Sequence, residues 1–127
     1  MGGERIASYR DLKVWQLAID ISIECYDLTQ TLPRSELFGM TSQIRRSSVS
    51  IAANIAEGYG RESRSGFIQF LKIAQGSLKE LETHLIIASR VGLLAEADCD
   101  PLLGKCEENG RMISGLIRAI ERKQREE

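Results

Sequence analysis

The chain holds one histidine, two prolines, three cysteines and few aromatic residues. Each shortage removes a class of protein. A di-iron carboxylate centre in a helical core needs two Glu-x-x-His pairs facing inward. Here Glu80 stands four residues before His84 and Leu81 three before it, so the pair is missing. His84 is read as a surface or boundary residue. Cys25, Cys99 and Cys106 are odd in number and share no metal-ligand spacing, which is expected of reduced thiols in a cytoplasmic protein. Cys25 falls on an apolar stripe and reads as a small core residue rather than a nucleophile, which would want a histidine beside it. The glycines at 58 and 60 lack the Lys-Ser/Thr ending and the preceding strand of a phosphate loop. No apolar run reaches about 18 residues, so no membrane span is expected. Met1–Ser8 is short and polar, unlike a signal peptide. MGGERI lacks the Ser or Thr of a myristoylation site. The expectation is a protein without enzymatic activity, cofactor, metal or membrane partner.

Charge of either sign in excess is also missing. Seventeen basic residues meet 18 acidic ones, and the totals do not announce a nucleic-acid binder. The 127 residues suffice for one domain with one core. There is no sustained alternation of period two and no hairpin dipeptide, so strands are not expected.

What is present is helical spacing. The chain is organised around QIRRSSVSIAANIAEGYG at 43–60. Leu37, Thr41, Ile44, Ser48, Ile51 and Ile55 recur in alternating steps of four and three, a heptad seam. Ser47, Ser50, Ala52, Ala53 and Ala56 around it are small, which lets neighbouring backbones approach and predicts a central helix.

Helix 1 is expected from near Asp11, with Val14, Ala18, Ile21, Cys25, Leu28 and Leu32 as its stripe. A second set, Trp15, Ile19, Ile23 and Tyr26, lies beside it, so the helix is either deeply buried or packs on another subunit. Pro33 ends it. Ser35 is the expected cap of helix 2, with Glu36 at its positive end. That helix runs to about Glu57, and Gly58 and Gly60 end it. Ser63 or Ser65 caps helix 3, whose seam is Phe67, Leu71, Ala74, Leu78, Leu81, Leu85 and Ala88. Gly92 is its expected C-cap. Helix 4 starts between Ala95 and Pro101, and Cys106, Asn109, Ile113, Leu116 and Ile120 carry its stripe to about Lys123. Residues 1–10 form an arm and 124–127 a charged tail. The predicted fold over 11–123 is an all-α, antiparallel up-down-up-down four-helix bundle.

That topology gathers Arg5, Arg10, Lys13, Arg61, Arg64, Arg118, Arg122, Lys123 and Arg125 at one end, diluted by acids including Glu4 and Glu62. Glu24, Asp27, Glu36, Glu96, Asp98 and Asp100 gather at the other. Such runs are either a dipolar design or ordinary solvated faces. Arg45, Arg46, Arg61 and Arg64 are the candidate phosphate contacts, because the guanidinium fork binds phosphate bidentately. Subunit contacts are their alternative use. Asn54 and Glu57 are the candidate structural polar network.

Three blocks in order, DLKVWQ at 11–16, QIRRSSVSIAANIAEGYGR at 43–61 and FLKIAQGSLKELE at 70–82, carry a resemblance. Together they resemble the four-helix-bundle family encoded in 23S ribosomal RNA intervening sequences, to which the accessory protein of diversity-generating retroelements is similar. The resemblance spans about residues 8–122 and is weakest in helix 4, where Pro101 departs from it. It implies an antiparallel bundle that assembles into a ring, a homopentamer, with no catalytic residues. It also implies association with RNA or DNA and, in the retroelement branch, with a reverse transcriptase. The retroelement proteins are basic, whereas this chain has a net charge of −1. A scaffolding or protein-binding ring is the alternative.

Overall fold

The computed structural model describes residues 6–127. Among them are four α-helices, α1 (Lys13–Thr29), α2 (Met40–Tyr59), α3 (Arg64–Arg90) and α4 (Glu96–Glu126), two short 3₁₀ turns and no strand. The all-α bundle expected from the periodicity is therefore present. Arg5 and Glu4, assigned to the basic end, lie outside the described residues, as does half of the expected arm.

The helix starts differ from the expected ones for local reasons. Asp11 does not open α1. Its carboxylate accepts the Ala7 and Ser8 amides at 2.8 and 3.1 Å and closes a 3₁₀ turn at Tyr9–Asp11, so α1 begins at Lys13. Ser35 likewise caps nothing, because Arg34–Glu36 is a 3₁₀ turn and α2 begins only at Met40. The acid of that turn still serves the helix: Glu36 Oε1 accepts the Met40 amide at 3.1 Å. Leu37 is consequently off the seam and 45 % exposed, and the seam starts at Thr41.

Ser63 caps α3 by accepting the Gly66 amide at 3.0 Å. At its other end Gly92 has φ +80°, the Leu93 amide reaches the Ala88 carbonyl at 2.9 Å and the Gly92 amide the Ser89 carbonyl at 3.1 Å. This Schellman closure needs the left-handed residue that glycine supplies. Helix α4 starts at Glu96, the early end of the expected range, with Pro101 inside it. The amide that proline lacks would have bonded the Ala97 carbonyl, and both residues are exposed one turn from the helix start, where that carbonyl is open to solvent. The stretch expected as a charged tail is helical to Glu126. It is held by Gln124 Nε2 donating to Ser65 Oγ at 3.0 Å and by an ion pair between Glu127 and Arg64.

Each helix packs on two others: α1 on α2 and α4, α3 on α2 and α4, the α2–α3 contact being the most extensive. Along α3 and α4, Ser65 meets Gln124, Gln75 meets Ser114 and Leu85 meets Cys99, so partner numbers fall as residue numbers rise. The core is built from the predicted seams: Ile21, Ile44, Ile51, Ile55, Leu71, Leu78, Leu81, Leu85 and Ile113 are fully enclosed. Each such side chain contributes about 1.5–3 kcal/mol on burial. The small residues of α2 act as expected at Gly58, where an added Cβ would lie 2.6 Å from the Phe70 Cβ. There the α2 backbone packs directly on the Phe70 and Phe67 side chains of α3.

Candidate functional site

The four candidate arginines do not form one site. Arg45 lies against the end of α1: its guanidinium stacks 4.6 Å from the Tyr26 ring centroid and its Nε donates to Thr29 Oγ1 at 2.9 Å. Thr29 passes its own hydroxyl proton back to the Cys25 carbonyl at 2.7 Å. Arg46, the next residue, is exposed and has no ion pair among the described residues. Arg61 is fifteen residues further, about 22 Å along a helix axis. It pairs with Glu57 at 3.3 Å and stacks 4.4 Å from the Phe70 ring centroid. Arg64 is engaged with Glu127; that contact holds the Glu127 carboxyl below its ordinary range and raises the Arg64 value further. Two of the four charges are thus answered within the chain, and the other two sit at a different place.

Asn54 and Glu57 separate in the same way. Asn54 Nδ2 donates to the Ser50 carbonyl at 2.8 Å and the Ser50 hydroxyl at 3.0 Å, and that hydroxyl lies 2.8 Å from Ser77 Oγ on α3. Asn54 therefore belongs to a hydroxyl relay that joins α2 to α3. Glu57 is exposed and belongs to Arg61. His84 is half-buried at the α2–α3 boundary, its Nδ1 3.4 Å from Ser47 Oγ. The buried polar residue without an expected role is Asn109. It is fully enclosed, its Nδ2 donates to the Val14 carbonyl at 3.0 Å, and its Oδ1 has no partner among the described residues. An asparagine on an apolar stripe is the sequence signal for it.

All three cysteines are buried and unpaired. Burial pushes the Cys25 and Cys106 thiols up to about 12, and the Cys99 thiol upward as well. Such thiols stay protonated and do not act as nucleophiles. Among the described residues no group of His, Cys, Asp and Glu is placed to hold a metal ion, and no helix is long and apolar enough to cross a membrane.

What the structure does bring together is apolar surface. One groove of about 650 Å³ is lined by Tyr26, Leu37, Phe38 and Val49, with Arg45 and Arg46 on its wall. A second, of about 270 Å³, runs over Trp15, Ile19, Ala52, Ala53 and Ala56. Val49 lines both, so the two adjoin there as a trough along α1 and α2. Phe38 is 92 % exposed beside it, Ile23 55 % and Val49 46 %. The second apolar set of helix 1 lines this trough or stands exposed beside it. Ile73 and Ile87 on α3 and Val91 just past its end are exposed as well, an apolar row whose first two members are separated by about 21 Å and by Glu80.

A cationic row was not read as a unit in the sequence. Arg111, Arg118, Arg122 and Arg125 recur at steps of seven, four and three on α4, and all four are exposed. Among the described residues none of them has an ion pair. The spacing was visible, but an expected helix end at Lys123 left Arg125 in a tail.

The family model described as 23S rRNA-intervening sequence protein matches residues 10–115. A search of curated proteins finds no match. Among solved structures the chain is similar to a protein with unknown function from the S23 ribosomal protein family of Bacteroides thetaiotaomicron. The two share 27 % identity over 82 % of this chain and 97 % of that chain, with a TM-score of 0.76. The helical bundle, the three sequence blocks and the match over residues 10–115 agree: this chain belongs to the 23S rRNA-intervening sequence protein family.

Proposed function

We propose that the protein is a non-enzymatic component that works as a homo-oligomer and presents its surfaces in repeated copies. The observation that carries this is the α1–α2 trough. Phe38, Tyr26 and Val49 expose large apolar side chains along it and Ile23 is exposed on the same helix as Tyr26, and such patches mark an interaction surface. The trough and the α3 row of Ile73, Ile87 and Val91 are different patches. When one copy's row seats in the next copy's trough the contact is heterologous, and a rotation that closes gives a ring. A homopentamer is the number the family resemblance implies.

The test is light scattering at micromolar concentration. The wild type is expected at several times the chain mass of 14.2 kDa, and Val49→Glu at that mass with its helical circular dichroism retained. A wild type that scatters as a single chain overturns the proposal.

A second reading, association with RNA or DNA, is supported by one observation: Arg46 is exposed and has no ion pair among the described residues, beside the half-engaged Arg45. Assembly multiplies such cations around one particle, and each phosphate contact adds to the counterions released. Arg61 and Arg64 support it less, because Glu57 and Glu127 already take their charge.

A further inference from the structure

We infer that the outer face of α4 and the groove between α3 and α4 bind the phosphate backbone of an RNA or DNA strand, with Arg111, Arg118, Arg122 and Arg125 as its contacts. This names a surface for the nucleic-acid reading above and rests on it. The argument starts from pairing. The structure answers Arg61 and Arg64 with carboxylates and Lys105 with Glu24 at 2.7 Å. The α4 arginines are exposed with no such partner among the described residues, so their full charge faces solvent.

Geometry then selects the ligand. Steps of seven, four and three place the four forks on one helix face, about 10, 6 and 5 Å apart along the axis. A row of that kind asks for anions repeated along a line, which a sugar–phosphate chain supplies. Guanidinium forks match phosphate oxygens bidentately.

Arg111 and Arg118 also line a groove of about 820 Å³ between α3 and α4, together with Gly76, Lys79 and Gly110. An added Cβ at Gly76 would meet nothing within 4 Å, so the groove is open there. Gln75 Nε2 donates to Ser114 Oγ at 2.9 Å across the two helices and fixes their spacing. Glu107 is the one carboxylate lining this groove, beside Arg111. It repels phosphate locally, and the closest approach of a strand is therefore at residues 118–125. Helix α4 makes no contact with α2, so the row lies away from the α1–α2 trough.

The experiment is fluorescence anisotropy of a labelled single strand and a labelled duplex across a salt series. It uses wild type, Arg118→Gln/Arg122→Gln and Arg46→Gln, with light scattering on each. Glutamine keeps most of the side-chain length and removes only charge. The expected result is salt-dependent binding by wild type and unchanged assembly in both variants. The double variant should bind about tenfold more weakly and lose about two from the salt slope per engaged subunit. Wild-type binding with an unaffected double variant overturns this surface and leaves the nucleic-acid reading standing. Absence of wild-type binding to either probe at low salt overturns both.

Discussion

Replacing Gly58 with alanine tests the closest approach in the bundle. The new Cβ would sit 2.6 Å from the Phe70 Cβ, 3.1 Å from Phe67 Cδ1 and 3.3 Å from the Phe67 carbonyl oxygen. Ordinary carbon–carbon contact is about 3.5–4.0 Å, so α2 and α3 must part by about 1 Å along that line. No rotamer change relieves the clash, because a Cβ is fixed to its backbone. Trimming Phe70 to alanine would leave the offending atom in place. Overpacking of this kind costs about 1–3 kcal/mol. Alanine recovers about 0.5–1 kcal/mol through its better helix propensity. With the clash at a fixed Cβ placing the cost in the upper part of its range, about 2–3 kcal/mol, the net expectation is a loss of about 1–2.5 kcal/mol, a midpoint lower by roughly 4–10 °C for a chain of this size. Gly104 is the internal control. It is exposed in α4 with nothing within 4 Å of an added Cβ, so Gly104→Ala should raise the midpoint by a few degrees, in line with a gain of about 0.5–1 kcal/mol. Thermal melts followed by circular dichroism at one fixed protein concentration give the answer, since assembly makes the midpoint concentration-dependent. Should Gly58→Ala melt at or above wild type while Gly104→Ala behaves as stated, the close crossing of α2 and α3 is refuted.

Two further outcomes follow from burial. Ala52 is 5 % exposed and Ala53 is on the surface of the trough, so Ala52→Leu should cost about 1–3 kcal/mol in a thermal melt. Ala53→Leu should leave the stability of the single chain unchanged and act only on the oligomer measured by light scattering; equal melts for the two variants would contradict the placement. The thiols give a pH dependence. Cys25 and Cys106 rise from 9.0 to about 12 on folding, so above pH 9 the unfolded chain releases protons that the folded chain keeps. Stability should therefore be independent of these groups below pH 9 and fall above it by up to about 1.4 kcal/mol per pH unit for each thiol. Melts between pH 8 and 10.5 should show a shallower decline for Cys25→Ala/Cys106→Ala than for wild type, although that variant melts lower throughout; parallel declines would rule the thiols out.

The seams of the helices were legible because burial imposes a period. The sequence seam of helix 3 is enclosed except at its half-buried first residue, Phe67, and the helix 2 seam holds from Thr41 onward. The ends were less legible, since a cap is a local contest between hydrogen bonds. Asp11 and Glu36 carry chemistry suited to a helix start, and each is used in a 3₁₀ turn that delays the helix. Gly92 was readable because one residue type suits a left-handed position. The candidate site was the least legible part. Arg45, Arg46, Arg61 and Arg64 are near in sequence, but the length of α2 separates the first two from the last two, and Glu127 reaches Arg64 from the far end of the chain.

By itself the sequence determined the number of helices and most of their buried stripes, because those depend on the 3.6-residue period; in α4 the stripe drifts, so that Leu102 and Ile117 are buried while the expected Leu116 and Ile120 are only half-buried. Only the tertiary structure decided which charges remain free. A charge is cancelled by whatever the fold carries to within a few ångströms, and that distance has no expression in residue order. The same reason separates Ala52 from Ala53. It also turns Gly58 from a helix terminator into the point where the α2 backbone meets Phe70 and Phe67 of α3, and makes Arg111, Arg118, Arg122 and Arg125 one row on the outside of the bundle.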